Sequence, residues 1–106
     1  MSERVTLRDS NGLYVWAEIL DDGVLQIAGQ DLGPPQGLGL GSEYEYWLTV
    51  QPDEISLVVA ALGGAEGDDV LPLLQANGDQ ICQTGEQKWL TSLGIEPGFF
   101  SYSSMD

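Results

Sequence analysis

Histidine is absent from this chain, cysteine occurs once, and only three residues are basic. The first absence removes the commonest general base, proton shuttle and imidazole metal ligand. Hydrolysis by a serine or cysteine that histidine activates cannot therefore take place within the chain. The single cysteine, Cys82, excludes an intramolecular disulfide, so packing alone must hold the fold together, as suits a reducing compartment. Cys82 has no basic neighbour in sequence to lower its pKa and reads as a buried structural thiol. Long apolar runs are missing too: none approaches the ~20 residues a membrane-spanning helix needs. The first residues, Met-Ser-Glu-Arg-Val, lack the apolar stretch of a signal peptide, which makes the cytoplasm the expected location.

The shortage of basic residues has the larger consequence. Arg4, Arg8 and Lys88 stand against 17 acidic residues, a formal net charge of −14. Such a field repels nucleic acid and anionic membrane. It attracts and steers a basic protein, with an on-rate that falls as salt is added. Acidity also serves solubility with no partner involved. A length of 106 residues suits one compact domain, residues 1–106, and the hydrophobic fraction of 42% with three tryptophans is enough for a packed core.

Residues 43–64, EYEYWLTVQPDEISLVVAALGG, organise the rest. Tyr44, Tyr46, Leu48 and Val50 alternate with Glu43, Glu45, Trp47 and Thr49, one set to each face of a strand. Pro52 ends that strand and suits a first helical turn, and Asp53 and Glu54 favour the positive end of the helix dipole. Ile55, Val58, Val59 and Leu62 form one apolar stripe, which Gly63 and Gly64 terminate. Upstream, residues 4–9, 13–20 and 24–29 read as three strands, joined by turns at Asn11-Gly12 and Asp21-Asp22-Gly23. Residues 31–42 hold four glycines and two adjacent prolines and read as a long loop with no phosphate-binding pattern.

Downstream, a short helix is expected over residues 69–76, with Asp68 as its N-cap and Pro72 in its first turn. Residues 80–83 read as a brief extended piece. Thr84 and Gln87 match a capping box for a third helix carrying Trp89, Leu90 and Leu93. Residues 99–102 are a last edge strand or an aromatic tail. The expectation is an α+β domain, an antiparallel β-meander of about four strands with two or three helices packed on one face.

Carboxylates are the only abundant reactive groups. Asp21-Asp22-Gly23 lacks the spacing and distal Glu of a calcium loop and reads as a hairpin turn. Helix capping accounts for Asp68 and Asp69 in Glu66-Gly67-Asp68-Asp69, and Glu18, Glu43 and Glu45 would need a cleft to act as a glycosidase pair. No catalytic residue, metal site or cofactor is expected. A different constellation follows from strand alternation. If helices cover the face of Leu13, Val15, Ile19, Tyr46, Leu48 and Val50, the other face carries Tyr14, Trp16, Glu18, Glu43, Glu45 and Trp47. With strands 13–20 and 43–50 as neighbours, aromatics and carboxylates would meet in one patch, suited to a partner's Arg or Lys. Alternatively, the aromatics belong to the core or cover one another beneath the long loop.

The meander, Glu43-Tyr44-Glu45-Tyr46-Trp47, the Pro52 helix and Gly63-Gly64, in so acidic a chain, resemble small immunity proteins of bacterial polymorphic-toxin systems over most of the chain. The resemblance implies a non-enzymatic protein that binds a cognate toxin and occludes its active site. Many such toxins act on nucleic acids or nucleotides and have basic clefts that an acidic inhibitor fits. No site residue is carried over from the resemblance; those named above come from strand alternation. Two other readings stay open: an acidic nucleic-acid mimic that blocks a DNA- or RNA-binding protein, and a small carboxylate-dependent enzyme or metal-binding module.

Overall fold

The computed structural model describes residues 4–10, 13–31 and 43–104. Among the described residues, five strands form a single sheet: β1 (Arg4–Ser10), β2 (Leu13–Ile19), β3 (Leu25–Asp31), β4 (Glu43–Val50) and β5 (Gly98–Ser104). Their spatial order follows the chain, and every neighbouring pair is antiparallel. Four helices complete the α+β fold: α1 (Ile55–Ala61), entered through a 3-10 turn at Pro52–Glu54, α2 (Val70–Ala76), α3 (Gly78–Thr84) and α4 (Glu86–Ser92). The expected meander is present with one strand more than about four, because the segment from Gly98 pairs along the whole of β4. The Asn11-Gly12 turn and the body of the Gly/Pro loop lie outside the described residues.

The hairpin at Asp21-Asp22-Gly23 is closed by the Leu20 N–H donating to the Val24 carbonyl and the Gly23 N–H to the Leu20 carbonyl, both at 2.9 Å, and by Asp22 Oδ1, which accepts from the Val24 N–H at 3.2 Å. The stripe on α1 faces inward: Val58 and Val59 are buried, with Ile55 and Leu62 packed against the core. Gly63 adopts φ 82° just past the helix, as a C′ glycine does.

Three local expectations are corrected. The N-cap of α2 is Asp69, whose Oδ1 accepts from the Leu71 N–H at 3.1 Å; Asp68 instead ties back to the Ala65 N–H at 2.8 Å. Residues 80–83 are helical, not extended. Gln-Ile-Cys-Gln is too short to show its period, and the Ile81 N–H closes a helical turn on the Asn77 carbonyl at 3.0 Å. Thr84 caps nothing, since it is the last residue of α3. The chain changes direction at Gly85, whose φ of 98° strongly disfavours any β-carbon, and Gly85 occupies the N-cap position of α4.

The helices lie on the face carrying Val15, Ala17, Leu25, Ile27, Leu48 and Val50. These close a core with Val58, Leu71, Leu74, Ile81, Leu90 and Ile95, all 2% exposed or less. A bulge in β1 places Leu7 in this core and Arg8 opposite Val15. Cys82 is half-buried, not fully enclosed: it packs against the core cluster from α3 without entering it. Its pKa is raised to about 11, chiefly by burial and then by the Glu86 carboxylate, with Arg8 pulling the other way.

Candidate functional site

The register fixes what the other face of the sheet displays. One row crosses all five strands, Thr6, Trp16, Ala28, Trp47 and Phe100. A second row runs Arg4, Glu18, Gln26, Thr49 and Gly98, and a third Asp9, Tyr14, Gln30, Glu45 and Tyr102. An aromatic band therefore lies between two polar bands. Trp16 and Trp47 are on one face, as expected, but their strands are not neighbours. β3 separates them, so their backbones stand two strand spacings apart, about 10 Å. Ala28 sits between the two indoles in register and is wholly buried.

Around Trp16 the face is already occupied. The Arg4 guanidinium lies over the indole, 5.1 Å from the ring centroid, and reaches the Glu18 carboxylate at 3.5 Å. The Gln26 amide donates to the same Glu18 oxygen at 3.4 Å. Glu18 is only 9% exposed. It was expected to be an open carboxylate; instead it is engaged from within, because β1 carries an arginine directly opposite it. The Trp16 indole N–H is buried with no acceptor among the described residues. Trp16 is thus a seated ring, half-buried under a cation.

Trp47 sits differently. Its ring meets Phe100 at a centroid distance of 5.4 Å and a tilt of 49°, and Phe100 is 65% exposed. With Gln26, Thr49, Gly98 and Phe99 they line an open concavity of about 490 Å³ at the β5 side of the sheet. Glu45 is half-exposed two residues along β4, and no ion pair engages it among the described residues. Tyr14 is exposed at 37% on the same row as Glu45, two strands away. Glu43 opens β4 opposite Ser104, and its side chain lies outside the described part.

Of the six expected residues, the structure brings Trp16 and Glu18 into one cluster with Arg4, and leaves Trp47 at the open concavity with Glu45 two residues along its strand. Sequence reasoning missed Phe100 and Arg4. Phe100 belonged to a segment left between strand and tail. Arg4 could be placed only from the β1–β2 register.

On the helix side, the Tyr46 hydroxyl donates to the Glu86 carboxylate, which is 9% exposed, and so ties β4 to α4. This polar link is structural in placement, beneath α4 and away from the aromatic band. Among the described residues no three His, Cys, Asp or Glu side chains gather as a metal site would require, and no helix is long and apolar enough to cross a membrane. What the aromatic face offers chemically is ring surface and carboxylate oxygens, a combination that takes up a guanidinium or ammonium group. Comparison with known protein families, with curated proteins and with solved structures finds no match to this chain.

Proposed function

We propose that this chain is a non-enzymatic acidic binding protein that covers a basic surface of a partner protein. One observation carries the reading: the face already holds a cation of its own. Arg4 rests on the Trp16 ring and pairs with Glu18, an intramolecular example of the contact a partner would make. Trp47 and Phe100 repeat the ring surface, and Glu45 stands about 7 Å along the strand from Trp47, a span one arginine head group covers. The net charge of −14 steers a basic partner toward it. A toxin with a basic active-site cleft is the partner this chemistry suits best, which makes the chain an immunity protein acting by occlusion in the cytoplasm.

The test is affinity capture on immobilised wild-type protein, Trp47→Ala and Glu45→Lys, each first shown to be folded, with measured kinetics for whatever the wild type retains. A basic protein should bind the wild type and elute with salt. Trp47→Ala should weaken it by about 2 kcal/mol or more, chiefly through faster dissociation. Glu45→Lys should slow association and flatten its salt dependence. Full affinity in folded Trp47→Ala would remove the aromatic face from the interaction.

A further inference from the structure

The two edges of the sheet are built differently. At one edge, β1 carries Arg4, Arg8 and Asp9, is broken by a bulge between Thr6 and Arg8, and has α2 and α3 packed along it. These are the devices by which proteins keep an edge strand from pairing with another chain. At the other edge, β5 has none of them. Its seven residues, GFFSYSS, include no charge and no proline, and its register with β4 runs unbroken from Glu43↔Ser104 to Thr49↔Gly98. Among the described residues no strand pairs with its outer side. The aromatic row Trp16–Ala28–Trp47–Phe100 stops there on a ring that is 65% exposed, with Phe99 on the opposite face 48% exposed.

We infer that the β5 edge is a self-association surface, where two copies pair β5 to β5 antiparallel about a twofold axis and form one ten-stranded sheet. Charge identifies the occupant. A basic partner would be selected by carboxylates, and β5 has none. A second copy of a chain with net charge −14 can approach closely only where its own surface is neutral. Antiparallel pairing keeps like carboxylates apart, and the closest unlike pair, Glu43 of one copy and Glu96 of the other, stands two strand spacings apart, about 10 Å. Glu96, just before each β5, falls at opposite ends of the paired strands; with Phe100 at the axis it lies roughly 27 Å from its counterpart at ~3.4 Å per residue. Glu45 and its counterpart are separated by both β5 strands, about 14 Å at ~4.8 Å per spacing. All three distances exceed the ~8 Å Debye length at physiological salt. The two Phe100 rings would meet near the axis, so the aromatic rows of the copies become continuous. A single strand pair is smaller than a standard interface of ~1,200 Å² or more, so the dimer is a concentration-dependent one.

Sedimentation equilibrium from micromolar to millimolar protein, at low and high salt, tests this. The expected result is a monomer–dimer equilibrium that tightens as salt rises, since screening relieves repulsion between like-charged copies; basic-partner binding has the opposite sign, so the two can fail separately. Phe100→Asp should weaken the dimer about tenfold or more by placing a charge in the edge contact. Leu57→Asp, on exposed α1, makes the same change of net charge away from the edge and should leave the dimer intact. Circular dichroism establishes folding of both variants. A monomer at every concentration and salt, or a dimer equally affected by the two variants, overturns the inference. So does a monomer whose edge instead takes up an added alternating Val-Lys peptide, which would assign β5 to a partner's strand.

Discussion

Gly29 gives the sharpest test of how this sheet is packed. It lies within β3 opposite Tyr46 on the helix-covered face, and its backbone is outside the positive-φ region, so alanine is sterically acceptable to the main chain. In an unobstructed strand the change to alanine would stabilise by about 0.5–1 kcal/mol. Here a β-carbon would overlap the Tyr46 ring, whose hydroxyl is bound to the buried Glu86 carboxylate. Forcing the ring aside costs about 1–3 kcal/mol as overpacking. Losing the bond to a charged acceptor adds about 1.5–3 kcal/mol. The steric and polar costs outweigh the strand propensity, and Gly29→Ala should destabilise by about 2–4 kcal/mol. In urea unfolding, the midpoint should fall by roughly 1–2 M with the slope unchanged. The decisive control is the same change in a Tyr46→Ala background. With the ring gone, Gly29→Ala should be neutral or stabilising by up to ~1 kcal/mol, a coupling expected only of residues in contact. A Gly29→Ala protein within ~0.5 kcal/mol of wild type, or an equal cost in both backgrounds, would refute the packing argument.

The remaining predictions concern a thiol and a cap. Cys82 has its pKa raised from 9.0 to about 11, so at pH 8 the folded protein should hold far less thiolate than the denatured chain. Because the more basic thiolate is also more nucleophilic, alkylation should slow by about tenfold, not a hundredfold. Equal rates in urea and buffer would contradict this. The neutral thiol is favoured in the fold, so this residue makes no pH-dependent difference below pH 9 and lowers stability as pH rises from 9 toward about 11. Asp69→Ala removes the α2 cap and should cost about 1 kcal/mol in chemical unfolding, whereas Asn at this position should retain most of that stability.

How much of this was legible depended on whether the signal was periodic or positional. Alternation over residues 13–20 and 43–50 and the stripe from Ile55 to Leu62 each repeat long enough to name an element and its inward face. They placed Val15, Leu48, Val58 and Val59 correctly in the core. Single-residue decisions were less legible. Asp68 and Asp69 carry the same cap chemistry, and only the path from Ala65 decides which one faces the helix. Thr84 has the composition of a cap but lies inside a helix that its neighbours Ile81 and Cys82 anchor. The bulge at Leu7 leaves no trace in composition, yet it turns Arg8 toward the helix side. The face holding Trp16, Glu18, Glu45 and Trp47 follows from alternation alone. Which carboxylate is engaged depends on strand order, and strand order places Arg4 beside Glu18 and β3 between the tryptophans.

That intervening strand explains how the rings of the aromatic band are seated. β3 places its smallest residues, Ala28 and Gly29, at consecutive positions, so one lies on each side of the sheet. On the helix side, the space at Gly29 lets the Tyr46 ring lie across the strand and reach Glu86. On the other side, Ala28 is wholly buried although it lies outside the helix-covered core cluster. Its cover comes from side chains on that face, and Trp16 and Trp47 are its direct cross-strand neighbours. A larger residue at Ala28 would hold the indoles up and apart. A polar one would be buried between them without a ready partner. With alanine, the rings rest on the sheet, where Arg4 fixes one and Phe100 braces the other. Rings held in this way would lose little side-chain entropy to a docking cation, which is what the proposed binding role requires of a small contact. The same two positions that let the core close therefore also set the geometry of the aromatic band.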